Sequence, residues 1–326
     1  MTRICILGGT GFIGHHLIKQ LQSPAREITV IGRNAVPTRE LPAGIEYRSG
    51  DYGDRYFLRG VLREAQQVVA LAHSTVPKTS FDDPVNDILT NLPSAVNLFD
   101  IASDCGIEKL VFVSSGGTIY GRNDAVPIAE SSLQNPISPY GITKLTIEKY
   151  AMMFNELRGL PFLCVRPANA YGEGQIPFSG QGFVATAMAS ILEDREVVLF
   201  GERGTVRDYI HVSDVASGIV AALERGKVGE CYNIASGVGR SNRDILDAIA
   251  PLARAMGLTP RIKVEPTRKF DVPVNVLDPA KLERATGWSP LVEFEAGMAR
   301  TWEWLVQTRY RGAGDAYRAG GDAAPA

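Results

Sequence analysis

Arg3-Ile4-Cys5-Ile6-Leu7 runs directly into Gly8-Gly9-Thr10-Gly11-Phe12-Ile13-Gly14. The first five residues form the short apolar block of a strand buried on both faces. An amphipathic stretch at 12–22 follows and predicts a helix. Glycines between a strand and a helix permit a tight turn, close approach of the backbone to a pyrophosphate, and close helix–sheet packing. The helix N-terminus adds unpaired N–H groups and the positive end of a dipole. Strand, glycine turn and helix at the head of a chain together predict dinucleotide binding. The alternative is a purely structural turn.

Further short apolar blocks stand at 28–31, 68–72, 110–114 and 162–166, with amphipathic stretches at 91–105 and 140–157 between them. Alternating β and α elements predict an α/β fold, a doubly wound parallel sheet of Rossmann type. After residue 166 the pattern changes. Residues 168–182 are rich in Gly, Pro, Ser and Asn and read as a long loop. Then come a helix at 183–192, a strand at 197–200, a helix at 214–223, a strand at 231–234 and a helix at 243–256. We therefore expect a dinucleotide-binding domain of residues 1–167 plus about 209–234. A smaller C-terminal α/β domain of 168–208 and 235–311 would bind substrate. The Gly/Ala-rich stretch 312–326 lacks periodicity and predicts a disordered tail.

Composition narrows the function. The 326 residues are 45% hydrophobic and 21% charged, which excludes a disordered chain, a fibrous repeat and a disulfide-stapled miniprotein. Lys plus Arg number 34 against 36 Asp plus Glu, so no nucleic-acid partner is expected. No apolar run approaches the roughly 18–20 residues of a membrane span. The run before the glycines is too short for a signal-peptide core, so a cytoplasmic protein is expected. Cys5, Cys105, Cys164 and Cys231 are scattered, and His15, His16, His73 and His211 make no metal-ligand spacing with them. Buried free thiols and no metal are expected.

The end of the second strand bears on the cofactor. Binders of NAD place an acid there for the ribose hydroxyls. Here stand Gly32, Arg33 and Asn34. A guanidinium can clamp a 2′-phosphate, which points to NADP. The alternative is a solvated Arg33 stacking on adenine in either NAD or NADP. Further on, Asp51 precedes Tyr52; its carboxylate could accept from an adenine amino group or cap a helix at 55–62.

Tyr140-Gly141-Ile142-Thr143-Lys144 sets a phenol and an ammonium on one helix face at i and i+4. A free tyrosine titrates near about 10, too high for a base at neutral pH. A neighbouring Lys⁺ favours the phenolate and lowers that value. About twenty residues upstream, the apolar strand 110–114 ends in small hydroxyl residues, and strand C-termini are where ligands sit in such sheets.

Read in order, five segments resemble one superfamily. They are the glycine turn, Ser114-Ser115-Gly116-Gly117-Thr118-Ile119-Tyr120-Gly121, the Tyr140–Lys144 motif, Arg166-Pro167-Ala168-Asn169-Ala170-Tyr171-Gly172, and the run from Gly204 to Asp214. The resemblance is to the extended short-chain dehydrogenase/reductases, in their nucleotide-sugar epimerase/dehydratase branch, closest to the UDP-glucose 4-epimerases. It covers about residues 3–304.

That resemblance implies roles. Tyr140 would be the acid/base, and Lys144 its activator and a ribose ligand. Gly8, Gly11, Phe12, Ile13 and Gly14 would line the pyrophosphate, with Ala72, Asn91 and Ser114 around the cofactor. Where the best-known epimerases carry a third Ser, this chain has Gly116; Thr118 is the expected substitute and Ser115 the other candidate. Related 4,6-dehydratases follow their Thr with Asp-Glu, whereas Thr118 is followed by Ile119 and Tyr120, which argues against dehydration.

At the nucleotide-sugar end, Arg207 and Arg268 match the family's diphosphate arginines and Asp271 a ribose ligand. Asn169, Gln181 and Gly182 fall beside the phosphates and sugar. Val198 and Phe200 would pack on uracil. Asn275 replaces a bulky Tyr and would leave room for an acetamido group. His211 and Asp214 read as residues that fix the turn into the next helix. The implied activity is reversible C4 epimerisation of a UDP-hexose or UDP-N-acetylhexosamine through a 4-keto sugar with bound NAD or NADP. Alternatives are an NADP-dependent 4-keto-sugar reductase and a non-catalytic dinucleotide-binding regulator. Homodimerisation through the helical faces at 91–105 and 140–157 is also implied.

Overall fold

The computed structural model describes residues 1–268 and 271–310. The chain opens with β1 (Thr2–Leu7), α1 (Phe12–Leu21), β2 (Arg26–Gly32), β3 (Glu46–Ser49), α2 (Arg55–Leu62), β4 (Gln67–Ala70), α3 (Pro77–Asp82), α4 (Pro84–Asp104), β5 (Lys109–Val113), α5 (Gly116–Ile119), α6 (Pro139–Arg158) and β6 (Phe162–Pro167). It continues with β7 (Asn169–Tyr171), α7 (Phe183–Leu192), β8 (Val197–Phe200), β9 (Val206–His211), α8 (Val212–Arg225), β10 (Cys231–Ile234), β11 (Gly239–Ser241), α9 (Asn242–Ala255), β12 (Ile262–Glu265), β13 (Val274–Asn275), α10 (Ala280–Thr286) and α11 (Phe294–Leu305).

Seven strands form one parallel sheet in the order β10-β6-β5-β4-β1-β2-β3. Successive residues of β1 face opposite ways, as the two-residue period of a strand requires. Ile4 and Ile6 join the core under α1 and α8, while Cys5 and Leu7 join the core under α2, α4 and α6. Because both faces are covered, the strands read as continuous apolar runs. The Rossmann-type α/β fold expected from the sequence is the fold observed. Strand order reverses between β1 and β4. The crevice outside the strand C-termini at such a reversal is where ligands bind in open α/β sheets.

A third core gathers Tyr171, Met188, Leu199, Tyr209, Ile245, Met298 and Trp302. It lies around a small sheet in which β9 pairs with β7, β11 and β13, and beside a parallel pair of β8 and β12. Two sequence expectations need correcting here. The stretch 168–182 is not all loop, because Asn169–Tyr171 pairs with Tyr209–His211. The chain near 209–211 stays in the small sheet, so that of this segment only α8 and β10 return to the large one. Helix α4 begins at Pro84, seven residues before the apolar periodicity starts, because the Asp83 side chain caps it and accepts from Asn86 N at 2.9 Å. The capping role offered to Asp51 belongs to Asp54, which accepts from Tyr56 N and Phe57 N. The tail expected at 312–326 lies outside the described residues. No described helix is long and apolar enough to cross a membrane.

Candidate active site

The C-terminal ends of β1, β4, β5 and β6 open into a cavity of about 530 Å³. Its floor on one side is the glycine turn. Gly8 holds φ at +83°, in the left-handed region, and a Cβ there would stand 2.9 Å from Ala72 N. At Gly14 a Cβ would lie 2.5 Å from Gly8 O and 2.6 Å from Gly9 Cα. The turn therefore closes only with glycine, and it leaves a backbone cradle at the start of α1 that fits a diphosphate.

Helix α6 delivers the phenol and the ammonium. The Ser138 hydroxyl caps it, accepting from Gly141 N at 3.1 Å, and Pro139 occupies the first turn. Tyr140 and Lys144 then lie one turn apart, both lining the cavity, Lys144 buried and Tyr140 half-buried. Tyr140 N donates to Ser80 Oγ at 3.1 Å. The Ser115 side chain stands beside the phenol. Burial, and then the nearby Asp87 charge, hold the phenol above its ordinary pKa, with Ser115 opposing. Lys144 Nζ donates to Val113 O at 3.0 Å and sits 5.7 Å from the Tyr140 ring centre. Burial holds the Lys144 ammonium down to about 8.

Ser114 Oγ and Thr118 Oγ1 line the same cavity, buried and without hydrogen-bond partners among the described residues. Buried polar groups are rarely left so, and a ligand in the cavity would satisfy them. A third serine at 116 is excluded by packing. A Cβ there would meet Leu277 Cδ1 at 2.3 Å and Arg166 O at 2.8 Å. Of the two hydroxyls weighed from the sequence, Ser115 stands beside the phenol and Thr118 Oγ1 is buried without a partner among the described residues.

A second cavity of about 250 Å³ adjoins, sharing Asn169, Phe183, Arg207 and Tyr209 with the first. Val198, Phe200, Arg268 and Asp271 line it. The Arg268 guanidinium lies 4.0 Å over the Phe200 ring and donates to Asp271 at 2.9 Å. Arg207, at the junction, donates to Val206 O at 2.8 Å. Gln181 and Gly182 line the larger cavity at the start of α7.

Other sequence-predicted site residues do not reach the cavity wall. Arg33 and Asn34 are exposed beyond β2, and Asp51 is exposed beyond β3. Tyr52, Ala72 and Asn91 border a separate void of about 10 Å³. The Asn91 side chain is spent on protein: it accepts from Ser74 N at 2.7 Å and donates to Asp87 O at 2.8 Å. Asn275, read as a sugar-side residue, is buried behind α5, where Nδ2 donates to Gly116 O at 3.2 Å. It lines neither cavity, because its strand turns that side chain toward the Gly116 carbonyl. His211 does fix a turn, as the N-cap of α8; the Asp214 carboxylate instead accepts from Leu291 N and Val292 N.

Sequence reading missed His73 and Gln175, which both line the cavity with a buried polar atom lacking a hydrogen-bond partner among the described residues. His73 stands three residues past β4, at a strand C-terminus, and that position was the available signal. Gln175 follows an irregular turn and carried none.

A family model described as the NAD dependent epimerase/dehydratase family matches residues 4–235. The chain belongs to this family. It is accordingly an NAD-dependent type of enzyme, where the sequence alone leaves NAD and NADP open. The UDP-glucose 4-epimerase of Mycolicibacterium smegmatis is 32% identical over 311 residues, 93% of this chain and 98% of that protein. Among solved structures, the UDP-glucose 4-epimerase of Thermus thermophilus in complex with NAD shares 34% identity at a TM-score of 0.86, covering 94% of this chain and 100% of that one. The Thermotoga maritima UDP-glucose 4-epimerase with UDP-glucose gives 31% and 0.87, over 94% and 99%. A dTDP-glucose 4,6-dehydratase of Streptomyces venezuelae with NAD bound is nearly as similar in shape, at 0.86 and 28% identity over 94% and 98%. Shape alone thus leaves two reactions open, and the side chains must decide.

Proposed function

We propose that this protein reversibly epimerises C4 of a UDP-linked hexose or N-acetylhexosamine through a transient 4-keto sugar. The observation that carries the reading is the set of ionisable groups at the cavity. Tyr140, Lys144, His73 and Arg207 line it with Tyr171 and Tyr209, and no described Asp or Glu does. Elimination of water across a sugar C–C bond calls for an acid and a base beyond the tyrosine. Oxidation and reduction at one carbon needs only one group to take and return a proton. The nicotinamide cofactor, when bound, accepts the hydride from C4 and gives it back.

The chain's own residues then divide the work. Gly8, Gly11, Phe12, Ile13 and Gly14 hold the cofactor pyrophosphate, and Ser114 and Lys144 meet its nicotinamide ribose. Tyr140 takes the proton of the 4-hydroxyl, and Ser115 and Thr118 hold the reacting oxygen. The lowering of the phenol pKa expected from Lys144 is not found in the free protein, where burial and the Asp87 charge hold the phenol up; Lys144 lies one helical turn away. Asn169, Arg207 and Arg268 anchor the diphosphate end and Gln181 and Gly182 lie where phosphate and sugar meet, with Asp271 on a ribose hydroxyl and Val198 and Phe200 against the base. A homodimer is part of the reading. Ile142, Tyr150, Met153 and Leu157 leave an exposed stripe on α6, and Val85, Ile88 and Leu89 leave another on the neighbouring α4.

One observation favours a second reading, an NADP-dependent 4-keto-sugar reductase. A Cβ at Gly32 would stand 2.5 Å from the Tyr47 hydroxyl, which itself donates to Asn34 O at 2.7 Å. An acid for the ribose diol therefore has no room at 32, while Arg33 is exposed beside it.

Purified protein, without added cofactor, is incubated with UDP-GlcNAc and separately with UDP-glucose while proton NMR follows the anomeric and H4 signals. Growth of the C4 epimer supports epimerisation with retained cofactor. No epimer in either tube, even after NAD or NADP is added, together with stoichiometric NADPH consumption on a 4-keto sugar, selects the reductase.

A further inference from the structure

The Tyr140 ring has a neighbour that the proposed chemistry leaves idle. His73, just beyond β4, sets its imidazole edge-on to the phenol ring, with centroids 4.8 Å apart and planes at 78°. Its side chain is 6% exposed and lines the cavity. On its other side, His73 Nε2 lies 3.7 Å from Asp87 Oδ1, beyond hydrogen-bond range. The Asp87 carboxylate is itself immobilised. It accepts from the Thr75 hydroxyl, and from the Thr143 hydroxyl at 2.5 Å. The imidazole is thus wedged between a fixed carboxylate and the phenol, and the surrounding groups tie together the loop after β4, helix α4 and helix α6.

We propose that His73 is a positioning residue for Tyr140: its ring holds the phenol against Ser115. Tyr140 stands in the first turn of α6, where Ser80 holds its backbone but leaves the aromatic ring to be fixed by side chains. Ser115 stands only beside the oxygen end. The flank is held by His73, in the perpendicular arrangement that aromatic pairs prefer. Loss of such a support matters because misplacement of a reacting group by about 1 Å can cost 10²-fold in rate. The imidazole also suits the place chemically. Burial holds it down to about 2, so it stays neutral, does not repel Lys144⁺ and does not compete for the phenol's proton.

The proposal rests on Tyr140 acting as the acid/base, and its test separates the two. His73→Ala, His73→Leu and His73→Phe are compared with the wild type as cofactor-loaded enzymes. His73→Ala and His73→Leu are expected to lose at least tenfold in kcat, with KM within twofold and cofactor retained. His73→Phe keeps a flat ring without nitrogens and is expected to recover kcat to within about threefold. A wild-type kcat in His73→Leu, or a His73→Phe as slow as His73→Leu while equally folded, overturns the positioning role. A second readout needs no turnover. Tyr140 ring signals in an aromatic ¹H–¹³C spectrum, assigned by their loss in Tyr140→Phe, should broaden or shift in His73→Leu and stay sharp in His73→Phe. Unchanged Tyr140 signals in His73→Leu overturn the proposal even if no nucleotide sugar is ever turned over.

Discussion

Replacing Arg207 by Met should weaken UDP binding strongly and leave the ligand-free fold no less stable. Arg207 sits on β9 where the two cavities meet. Its guanidinium donates to the Val206 carbonyl at 2.8 Å and has no carboxylate within ion-pair distance among the described residues. The acid that acts on it, Asp271, is paired with Arg268. Burial accordingly holds the Arg207 guanidinium below its ordinary pKa. A partly desolvated cation without a counter-charge costs stability in the empty protein, and an anion delivered by the substrate would relieve that cost. A hydrogen bond to a charged group is worth roughly 1.5–3 kcal/mol. At 1.4 kcal/mol per tenfold, Arg207→Met should raise the Kd for UDP by about 10- to 150-fold. Calorimetric titration with UDP measures this, and a thermal melt without ligand measures the fold. A Kd within twofold of wild type would show that Arg207 does not meet the phosphates. A ligand-free Tm lowered by several degrees would show that the charge is structural.

Other perturbations probe the remaining parts of the site. Tyr140→Phe should lower kcat by about 10²–10⁴-fold while cofactor stays bound, measured by epimer formation and by absorbance of the released nucleotide; residual turnover near wild type would remove Tyr140 from the chemistry. Gly14→Ala places a Cβ 2.5 Å from the Gly8 carbonyl, so the purified variant should carry no cofactor and melt at lower temperature than wild type. Lys144→Met tests a pH dependence of stability in the cofactor-free chain. Burial sets the folded pKa at about 8, below the ordinary 10.5, so folding disfavours the ammonium. That destabilisation is fully present below pH 8 and fades as pH rises toward 10.5. The variant should therefore out-melt the wild type at pH 7 by more than it does at pH 10, and an equal difference at both would contradict the desolvated lysine.

How much of this was legible in the sequence depends on how far apart the partners lie. The helix at 183–192 and the strands at 197–200 and 231–234 fall where the apolar pattern puts them. Those elements are long enough, or buried enough on both faces, to carry their own period. The small sheet was invisible because its strands are two to six residues long and pair across the chain, as Val274 does with Val206. Propensity has little to say about a two-residue strand whose partner is some seventy positions away. The same limit explains the site. Tyr140, Lys144, Ser115 and Thr118, expected together from the sequence, meet at one cavity because strand ends and the start of a helix bring them there. Asn275 was misjudged because position along the chain does not reveal which way a short strand turns its side chain. Asn91, expected near the cofactor, has its amide engaged in holding Ser74 and the Asp87 carbonyl, a local network with no periodic signature.

On the proposed function, the two cavities give a reason why one fold can serve both relatives and yet favour epimerisation here. An epimerase must hold one end of its substrate while the oxidised sugar turns over to present its other face. On our proposal the held end is the one with direction-fixing groups, Arg207 on the paired strand β9 and Arg268 stacked on Phe200. The turning end is bounded by small residues, Gly117, Ala170 and Gly182, at the wall of the larger cavity. Gly182 is small of necessity, since its φ is +86° and a Cβ would stand 2.7 Å from the Gln175 amide, whereas a Cβ on Gly117 would meet only Asn169 Oδ1, at 3.1 Å. Space at the sugar and charge at the diphosphate are what rotation about an anchored end requires. A dehydratase has the opposite need, since it must keep a single sugar face against an added acid and base, and neither is present on the described wall of this cavity. Filling the space should therefore separate the half-reactions. Gly117→Ala, which crowds only the Asn169 side chain, should still reduce the bound cofactor when UDP-glucose is added, seen at 340 nm. It should return the epimer more slowly than wild type. If reduction and return fell in equal proportion, room for rotation would not be what the small residues provide.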